Sequence, residues 1–340
     1  MRVMIIGGTK FMGPFVVKRL KAMGHDVTAF HRGQSELASS LGANELLGDR
    51  NDFNTLKQAI DTCNPDVILD MVLFTVDQAQ DLQVAAQGTA KRIVAVSGID
   101  VYQAYGRLHN AGSSPIEASP ISEESPLLSV DMPLVTSGPR MHPWPGAQRD
   151  MIRAEDALMA MSELPGTLLR LPVVYGVGDF LHRLYGDLRR MDDGRPAIIV
   201  QEDMAAWRWS RGYVENMAEA IAVAVDNDHA AGKVYNVADG DALSTSEWIA
   251  AIGRAAGWNG KVVTVSRESL PEEMQSHVDS EQHLVVETSR IRTELGYQDV
   301  ASIDEALARS VAWERENPPE GIGTDGFDYT IEDTLLEKFG

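Results

Sequence analysis

Apolar residues recur in two different rhythms along this chain, and its N-terminal stretch contains both. Residues 3–6 read Val-Met-Ile-Ile, a short apolar run rich in β-branched side chains, which predicts a buried strand. A second apolar run at 27–30 predicts another strand. Between the two runs the apolar positions recur at helical spacing, at Val16, Val17, Leu20 and Met23. The N-terminus is therefore predicted to form a strand-helix-strand unit.

The same alternation continues to about residue 171. Further strands are predicted at 44–47, 66–72, 92–97 and 167–171, and helices at 76–88 and 149–161, with a short helix that Ser35 would cap. Strands that alternate with helices predict a parallel sheet covered on both faces. We therefore expect an α/β fold with a doubly wound parallel sheet.

Two stretches depart from this rhythm. Residues 98–146 show no sustained periodicity and hold seven of the fifteen prolines, and a loop of this length is usually a functional lid or a disordered segment. From residue 173 the alternation is looser, with short predicted strands at 197–200, 234–237 and 261–265. Residues 317–340 contain prolines, glycines and acids, so we expect an extended, exposed tail.

A glycine-rich turn joins the first predicted strand to the first helix. Gly7, Gly8 and Gly13 lie in this turn. Glycines at such a position let backbone N–H groups approach a pyrophosphate, and the positive end of the helix favours the phosphate charge. The flanking strand and helix make this a specific signal for a dinucleotide site, whereas glycine spacing alone would be a weak one.

Composition narrows the function classes. The formal net charge is −20 and the pI is about 4.7, so a general nucleic-acid binder, which needs a basic face, is disfavoured. Cys63 is the single cysteine, and the eight histidines show no metal-ligand spacing, so no metal site is predicted. No apolar run approaches the roughly 20 residues of a membrane span. We expect a cytoplasmic protein that acts on a small molecule, and a homodimer stays an open expectation.

Taken together, these features resemble the extended, atypical short-chain dehydrogenase/reductase superfamily, in its NAD-dependent epimerase/dehydratase group. The resemblance runs over about residues 1–315. It is carried by the segments 7–13 (GGTKFMG), 48–49 (GD), 97–102 (SGIDVY), 169–176 (LRLPVVYG) and 214–221 (VENMAEAI). Lys10 gives the glycine-rich turn a basic residue, and this variant of the turn resembles the one in the subgroup that includes the chloroplast stem-loop binding proteins.

The resemblance implies a Rossmann-type domain at 1–172 and a mainly substrate-binding region at 173–316, with some segments of that region returning to the first domain. From its length and its prolines, we also predict that the loop at 98–146 folds over the nicotinamide end as a lid. The implied cofactor is NADP or NAD. We favour NADP because the second strand ends in His31 and Arg32 without an acid for the ribose hydroxyl. The expected cofactor-binding residues are Gly7, Gly8, Thr9, Lys10, Phe11, Met12, Gly13, His31, Arg32, Asp49 and Arg50.

The chain departs from the family where the chemistry should lie. The family serine is expected at Gly98, and its tyrosine and lysine at Ala147 and Met151. The remaining candidates near that strand end are Ser97 and Tyr102 as catalytic residues, with Tyr105 and His109 as reserves. For a nucleotide-sugar-like substrate, the expected binding residues are Tyr175, Arg183, Arg208 and Arg211.

Three functions stay open on the sequence. The first is an NAD(P)-dependent oxidoreductase, epimerase or dehydratase that acts on a sugar-nucleotide-like substrate. The second is a non-catalytic NADP sensor or scaffold, because Ala147 and Met151 cannot move protons. The third is an RNA-binding relative of the stem-loop proteins, against which the acidic composition counts.

Overall fold

The computed structural model describes residues 1–33, 40–109, 114–129, 147–161, 163–320 and 328–340. Its centre is a parallel sheet of seven strands in the order β10-β6-β5-β4-β1-β2-β3. These strands are β1 (Arg2–Ile6), β2 (Asp26–His31), β3 (Asn44–Leu47), β4 (Val67–Asp70), β5 (Arg92–Gly98), β6 (Gly166–Leu171) and β10 (Lys233–Asn236).

Side chains of the central strands face two separate apolar layers. On β1, Val3 and Ile5 belong to one core cluster, whereas Met4 and Ile6 belong to the other. All four are at most 1% exposed. Successive side chains of a strand point to opposite faces, so an unbroken apolar run is what a sheet covered on both faces requires. The predicted doubly wound, Rossmann-type α/β fold is thus confirmed.

Helices cover both faces of this sheet. The helices up to the end of the central sheet are α1 (Met12–Ala22), α2 (Phe53–Cys63), α3 (Val76–Ala86), α4 (Gln103–His109), α5 (Ala147–Met159), α6 (Tyr185–Asp192), α7 (Glu202–Ala205) and α8 (Val214–Asp226). Helix α8 packs beside α1 in one core cluster, and Arg19 forms an ion pair with Glu219 between the two helices. Helices α2, α3 and α5 contribute to the opposite cluster.

The C-terminal part adds two small parallel sheets. One pairs β7 (Val173–Tyr175) with β9 (Arg211–Tyr213), and the other pairs β8 (Ala197–Gln201) with β11 (Lys261–Val265). Strand β10 leaves this region to pair with β6 in the central sheet. The remaining helices are α9 (Thr245–Ala256), α10 (Ser289–Leu295), α11 (Ile303–Glu316) and α12 (Thr330–Phe339).

Two stretches differ from the sequence prediction. The described part of 98–146 contains helix α4, which is too short and too rich in small residues to show a clear period. Most of the predicted lid and the helix that Ser35 would cap lie outside the described residues. The tail at 317–340 is not extended throughout, because Thr330–Phe339 form α12. There Leu335 is buried against β8 and β11, and Arg190 forms an ion pair with Glu332.

Across the ranges that the structure describes, we find no helix of the length and apolar character that a membrane crossing needs. The same residues contain no group of three or more His, Cys, Asp or Glu side chains that could hold a metal ion.

Candidate functional site

The turn after β1 needs glycine for two physical reasons. Gly7 adopts a φ of +89°, a conformation that side chains rarely tolerate. At Gly13 a Cβ would overlap the carbonyl group of Gly8 and lie 2.8 Å from its Cα. The first turn of α1 therefore packs directly on the glycine-rich turn. Phe11, which precedes the helix, has a φ of +47°, and its ring packs edge-on against the ring of Phe180 with 6.1 Å between the two ring centres.

A cavity of about 360 Å³ opens between this turn and the ends of β2 and β3. It lies beside β1, at the point where the order of strands in the sheet reverses, and open α/β sheets bind ligands at such a point. The predicted cofactor residues that line it are Gly7, Thr9, Lys10, His31, Arg32, Asp49 and Arg50. The sequence analysis did not identify the opposite wall, which Val72, Phe74 and Gln78 provide.

Arg50 fixes the shape of this cavity. Its Nη1 donates to Asp70 Oδ2 at 2.7 Å and to the carbonyl of Val72 at 3.0 Å, and its Nη2 donates to the carbonyl of Gln78 at 3.1 Å. Asp70 is fully buried at the end of β4. The Arg50 guanidinium thus ties the loop after β3 to the start of α3, and it holds both walls of the cavity in place.

The cavity is suited to the phosphorylated end of a dinucleotide. Lys10 and Arg32 are exposed side chains that line it, and they bring positive charge to an acidic protein. The Nε of Arg50 is buried and has no hydrogen-bond partner among the described residues. His31 is held at the end of β2, where its Nε2 lies 3.3 Å from Glu45 Oε1. These donors, the glycine-rich turn and the helix N-terminus are groups that could together hold an anion such as a phosphate.

A second cavity, of about 200 Å³, lies at the ends of β5 and β6. Phe74 lines both cavities, so the two are neighbours along the edge of the sheet. Its walls are mainly apolar, and Met12, Met151, Leu171 and Trp209 contribute to them. Met151 occupies the place where the resemblance had implied a lysine. The polar side chains that line the cavity are Ser97, Asp100 and Tyr105.

Ser97 is held by a buried polar network. Its Oγ donates to Glu155 Oε1 at 2.6 Å, and Arg170 Nη2 lies 2.6 Å from Glu155 Oε2. Arg170 also donates to the hydroxyl of Tyr102 at 3.0 Å, and that hydroxyl donates to Asn236 Oδ1 at 2.7 Å. The network spans β5, α5, β6 and β10, so it joins the sheet to the helix that covers it.

Through this network the hydroxyl of Tyr102 is bonded to buried residues of the core. The tyrosine is 0% exposed and packs in a core cluster with Tyr105 and Leu284. Tyr102 is not among the described residues that line the second cavity. Burial raises the pKa of Tyr102, although Arg170 acts in the opposite direction. Ser97 reaches the cavity, but its proton is committed to Glu155. The geometry therefore favours support of the site, rather than proton transfer, for both residues.

Tyr105, a reserve candidate, does line the second cavity. Burial raises its pKa strongly, and the nearby charge of Asp100 acts in the same direction. The ring of His109 lies 4.6 Å from the Tyr105 ring, and burial lowers the pKa of His109. The two rings pack against each other, and burial disfavours the charged form of each.

Asp100 is the polar residue of this site that the sequence analysis did not single out. It is 6% exposed, lies in the 3₁₀ turn that follows β5, and lines the second cavity. A Cβ added at Gly98 would overlap its Oδ1 and lie 3.3 Å from its Cγ. The sequence does contain a sign of this residue's importance: Gly98 stands where the serine was expected, and an acid, Asp100, follows two residues later.

The predicted substrate residues do not form one cluster. Tyr175 is buried, and its hydroxyl lies 3.3 Å from Asp239 Oδ2. Arg183 is paired with Asp179 at 2.5 Å, and Arg208 with Glu247 at 3.0 Å. The geometry gives these three residues local structural partners. It does not bring them to a common ligand.

Arg211 is differently placed. Its guanidinium lies 4.3 Å from the ring centre of Trp248, and its Nη1 donates to the carbonyl of Trp209 at 3.1 Å. Burial lowers the pKa of Arg211 to about 10, although the charge of Asp187 acts in the opposite direction. Trp209 lines the second cavity. Arg211 is not among the described residues that line this cavity, and its connection to the cavity is through Trp209.

Comparison with known proteins gives consistent results. The chain is 24% identical over 296 residues to the 2′-dehydrokanamycin reductase of Streptomyces kanamyceticus. This alignment covers 85% of this chain and 75% of that protein. It is 21% identical over 355 residues to the chloroplast stem-loop binding protein of 41 kDa b of Arabidopsis thaliana, with coverage of 99% and 84%. The Bordetella bronchiseptica enzyme WbmG, solved with NAD and UDP, superimposes with a TM-score of 0.65 at 17% identity, over 93% of this chain and 95% of that one.

The match to a family model is the most direct of these findings, because it spans most of the sheet and its associated loops. The model of the NAD dependent epimerase/dehydratase family matches residues 3–238. This stretch includes the glycine-rich turn, the ends of β2, β4 and β5, and most of the residues that line the two cavities. The chain therefore belongs to the NAD-dependent epimerase/dehydratase family.

Proposed function

We propose that this protein binds NADP along the edge of the sheet and uses it for hydride transfer on a nucleotide-sugar-like substrate. The observation that carries the proposal is the pair of adjoining cavities. The first is lined by the glycine-rich turn, Lys10 and Arg32, and the second by Ser97 and Asp100. NADP matches this arrangement, because it is an extended molecule with a phosphate on the adenosine ribose, a pyrophosphate in its middle and a flat nicotinamide ring at the other end.

NADP is proposed over NAD because of charge at the end of β2. The family is NAD-dependent, and NAD sites usually place an acid there for the ribose hydroxyl. In this chain His31 and Arg32 occupy that end, and the exposed Lys10 faces the same cavity. Two cations at this point favour an additional phosphate on the ribose. Asp49 is the one carboxylate among the described lining residues.

The substrate class is inferred from the site and from relatives. Trp209 lines the second cavity, and the Arg211 guanidinium carbon lies 5.9 Å from the centre of its ring, so an aromatic ring with a positive charge behind it borders the cavity. The WbmG structure contains UDP with NAD, and another neighbour is an epimerase solved with UDP-glucuronic acid and NAD. The reductase relative is named for 2′-dehydrokanamycin. UDP is common to the two solved neighbours, and in one of them it carries a sugar acid, which supports a nucleotide-sugar-like substrate.

The roles of the residues follow from their positions. Arg50 would hold the adenosine end, because it shapes that wall of the first cavity. Met12, Phe74 and Met151 would exclude water from the flat ring, because they give the second cavity its apolar walls. The Ser97, Glu155 and Arg170 network would keep the end of β5 rigid below the reacting groups. When bound, the nicotinamide supplies or accepts the hydride.

The test has two parts. The purified chain is titrated with NADP and with NAD, and the Kd of each cofactor is measured by calorimetry. It is then incubated with each cofactor and a panel of UDP-glucose, UDP-glucuronic acid and keto-sugar derivatives, and products and reduced cofactor are measured. We expect tighter binding of NADP and turnover of at least one panel member. Binding without any turnover would favour the sensor function over catalysis, because Ala147 and Met151 replace the family's acid-base pair.

A salt-dependent titration with RNA tests the third function. We expect no specific binding, because the chain carries a net charge of −20. The stem-loop binding relative is 21% identical, and its name alone brings RNA into consideration.

A further inference from the structure

The carboxylate of Asp100 occupies the space of the missing side chain at Gly98. Gly98 lies at the end of β5 in an extended conformation, with φ −131° and ψ 156°, which any residue adopts. A Cβ at this position would overlap Asp100 Oδ1, while the next described group, the carbonyl oxygen of Leu171, would be 3.8 Å away. Asp100 is thus the one described obstacle to a side chain at position 98.

The two positions therefore share one site. A serine at 98 would direct its hydroxyl from the strand end toward the space that Asp100 Oδ1 now fills. Asp100 is 6% exposed, and both residues line the second cavity with Tyr105 and Met151. The carboxylate is thus presented to the apolar chamber in which the reacting carbon of the substrate would lie. A serine side chain at 98 and the Asp100 carboxylate in its present position would therefore exclude each other.

We propose that Asp100 is the catalytic acid-base group of this protein and replaces the serine and tyrosine chemistry absent at Gly98 and Ala147. This inference rests on the proposed function. In the oxidative direction the substrate O–H bond breaks and its proton passes to the Asp100 carboxylate. The electron pair of that bond forms the second C–O bond while the carbon's hydrogen leaves as hydride to the nicotinamide. In the reductive direction the protonated carboxyl returns the proton to the new alkoxide.

Other titratable groups nearby fit this role less well. The Ser97 hydroxyl donates to Glu155, and Glu155 is paired with Arg170. The Tyr102 hydroxyl is bonded to Asn236 and Arg170 in the core. Tyr105 shares the chamber, but burial and then the charge of Asp100 raise its pKa and disfavour its phenolate form. Tyr105 is expected to position the substrate oxygen, while Asp100 moves the proton.

The first experiment is Asp100→Asn, which keeps the size of the side chain and removes its basicity. With the UDP-sugar and keto-sugar panel, we expect kcat to fall by roughly 10²–10⁴-fold, as is typical for loss of general acid-base catalysis. The Kd for NADP, measured by calorimetry without substrate, should stay within about twofold. Asp304→Asn, on a side chain that is 78% exposed, is the matched control and should keep wild-type kcat.

The second experiment does not depend on turnover. Gly98→Ser in the wild-type background should lower Tm by several degrees, because the new side chain would overlap Asp100 Oδ1. The same change in an Asp100→Ala background should cost far less, because the space is then open. Equal losses of Tm in both backgrounds would overturn the claim that the two positions share one site.

The outcomes separate the inference from the proposed function. Turnover by the wild type that Asp100→Asn leaves intact would overturn the inference and keep the reaction. A loss caused by Tyr105→Phe together with normal activity of Asp100→Asn would assign the proton to Tyr105 instead. If NADP binds and no panel member is turned over by the wild type, the proposed reaction fails, and the role of Asp100 fails with it.

Discussion

The hydroxyl of Tyr102 lies 3.0 Å from Nη1 of Arg170, and the Arg170 guanidinium carbon lies 4.8 Å from the centre of the Tyr102 ring. Arg170 comes from β6, whereas Tyr102 follows β5, so the contact joins two neighbouring strands at their carboxyl ends. It also accounts for the burial in the core of a tyrosine that the sequence analysis names as a catalytic candidate.

Tyr102→Phe tests this role. The change removes a hydroxyl that accepts a hydrogen bond from Arg170 and donates one to Asn236, and it leaves both partners buried. We expect the free energy of unfolding to fall by about 1–3 kcal/mol. Turnover per folded molecule should stay near wild type. Urea unfolding and panel assays measure the two effects.

Tyr235→Phe is the matched control, because its hydroxyl bonds to Glu294, whose side chain is 37% exposed. Its loss of stability should be smaller. A hundredfold loss of turnover in folded Tyr102→Phe would restore the catalytic assignment made from the sequence.

Arg32→Ala tests the choice of cofactor. Arg32 lines the first cavity at the end of β2, where the ribose phosphate of NADP would lie. We expect NADP affinity to fall about tenfold, which corresponds to about 1.4 kcal/mol, while NAD affinity barely changes. Calorimetric titrations with both cofactors measure the ratio. Arg254→Ala, on a side chain that is 65% exposed, is the control. A wild-type protein that binds NAD more tightly than NADP would contradict this assignment.

Asp239 makes stability depend on pH. Burial raises its pKa to about 6, above the usual value of 3.8, although Asn216 and the backbone N–H of Tyr213 donate hydrogen bonds to it. Because the folded pKa is the higher one, the stabilising contribution is complete below pH 3.8 and is lost as the pH rises through 6. The loss amounts to roughly 3 kcal/mol between these limits.

Asp239→Asn should remove this slope. The difference in unfolding free energy between wild type and variant, measured with urea at pH 4 and pH 7, isolates the contribution of Asp239 from that of other groups. We expect the wild type to lose stability relative to the variant as the pH rises. A difference that stays constant with pH would contradict the raised pKa.

Leu335→Ala tests the docking of α12. Leu335 is 7% exposed and packs with Ala197, Val263 and Leu270. We expect the change to destabilise the protein by about 2–3 kcal/mol, because a buried leucine leaves a cavity when it is shortened. Ile331→Ala on the same helix is the control, since Ile331 is 40% exposed and its loss should cost less than about 0.5 kcal/mol. Equal, small effects of both changes would mean that α12 is not held by this cluster.

Much of the fold could be predicted from the sequence because its signals are local. A strand buried on both faces needs an unbroken apolar run such as 3–6, and a strand-helix turn that must come close to a ligand needs glycine at 7 and 13. Helix α12 was missed because its only strongly buried apolar side chain is Leu335, and partners from β8 and β11 are needed to hold it.

The site divides in the same way. The residues of the glycine-rich turn and of the β2 end could be predicted to lie together, because they follow one another along the chain or close one strand-helix-strand unit, and several of them do line one cavity. The roles of Tyr102 and Asp100 depend on groups far away in sequence or on the space around them. Arg170 and Asn236 reach Tyr102 only when β6 and β10 join the sheet. Asp100 replaces the side chain of Gly98 only because the turn after β5 folds back on the strand end. The sequence by itself determined which residues are present and where strands and turns begin. Only the tertiary structure decided that the Tyr102 hydroxyl is buried in the core and that Asp100 lines the cavity, because burial and contact are properties of the packed chain.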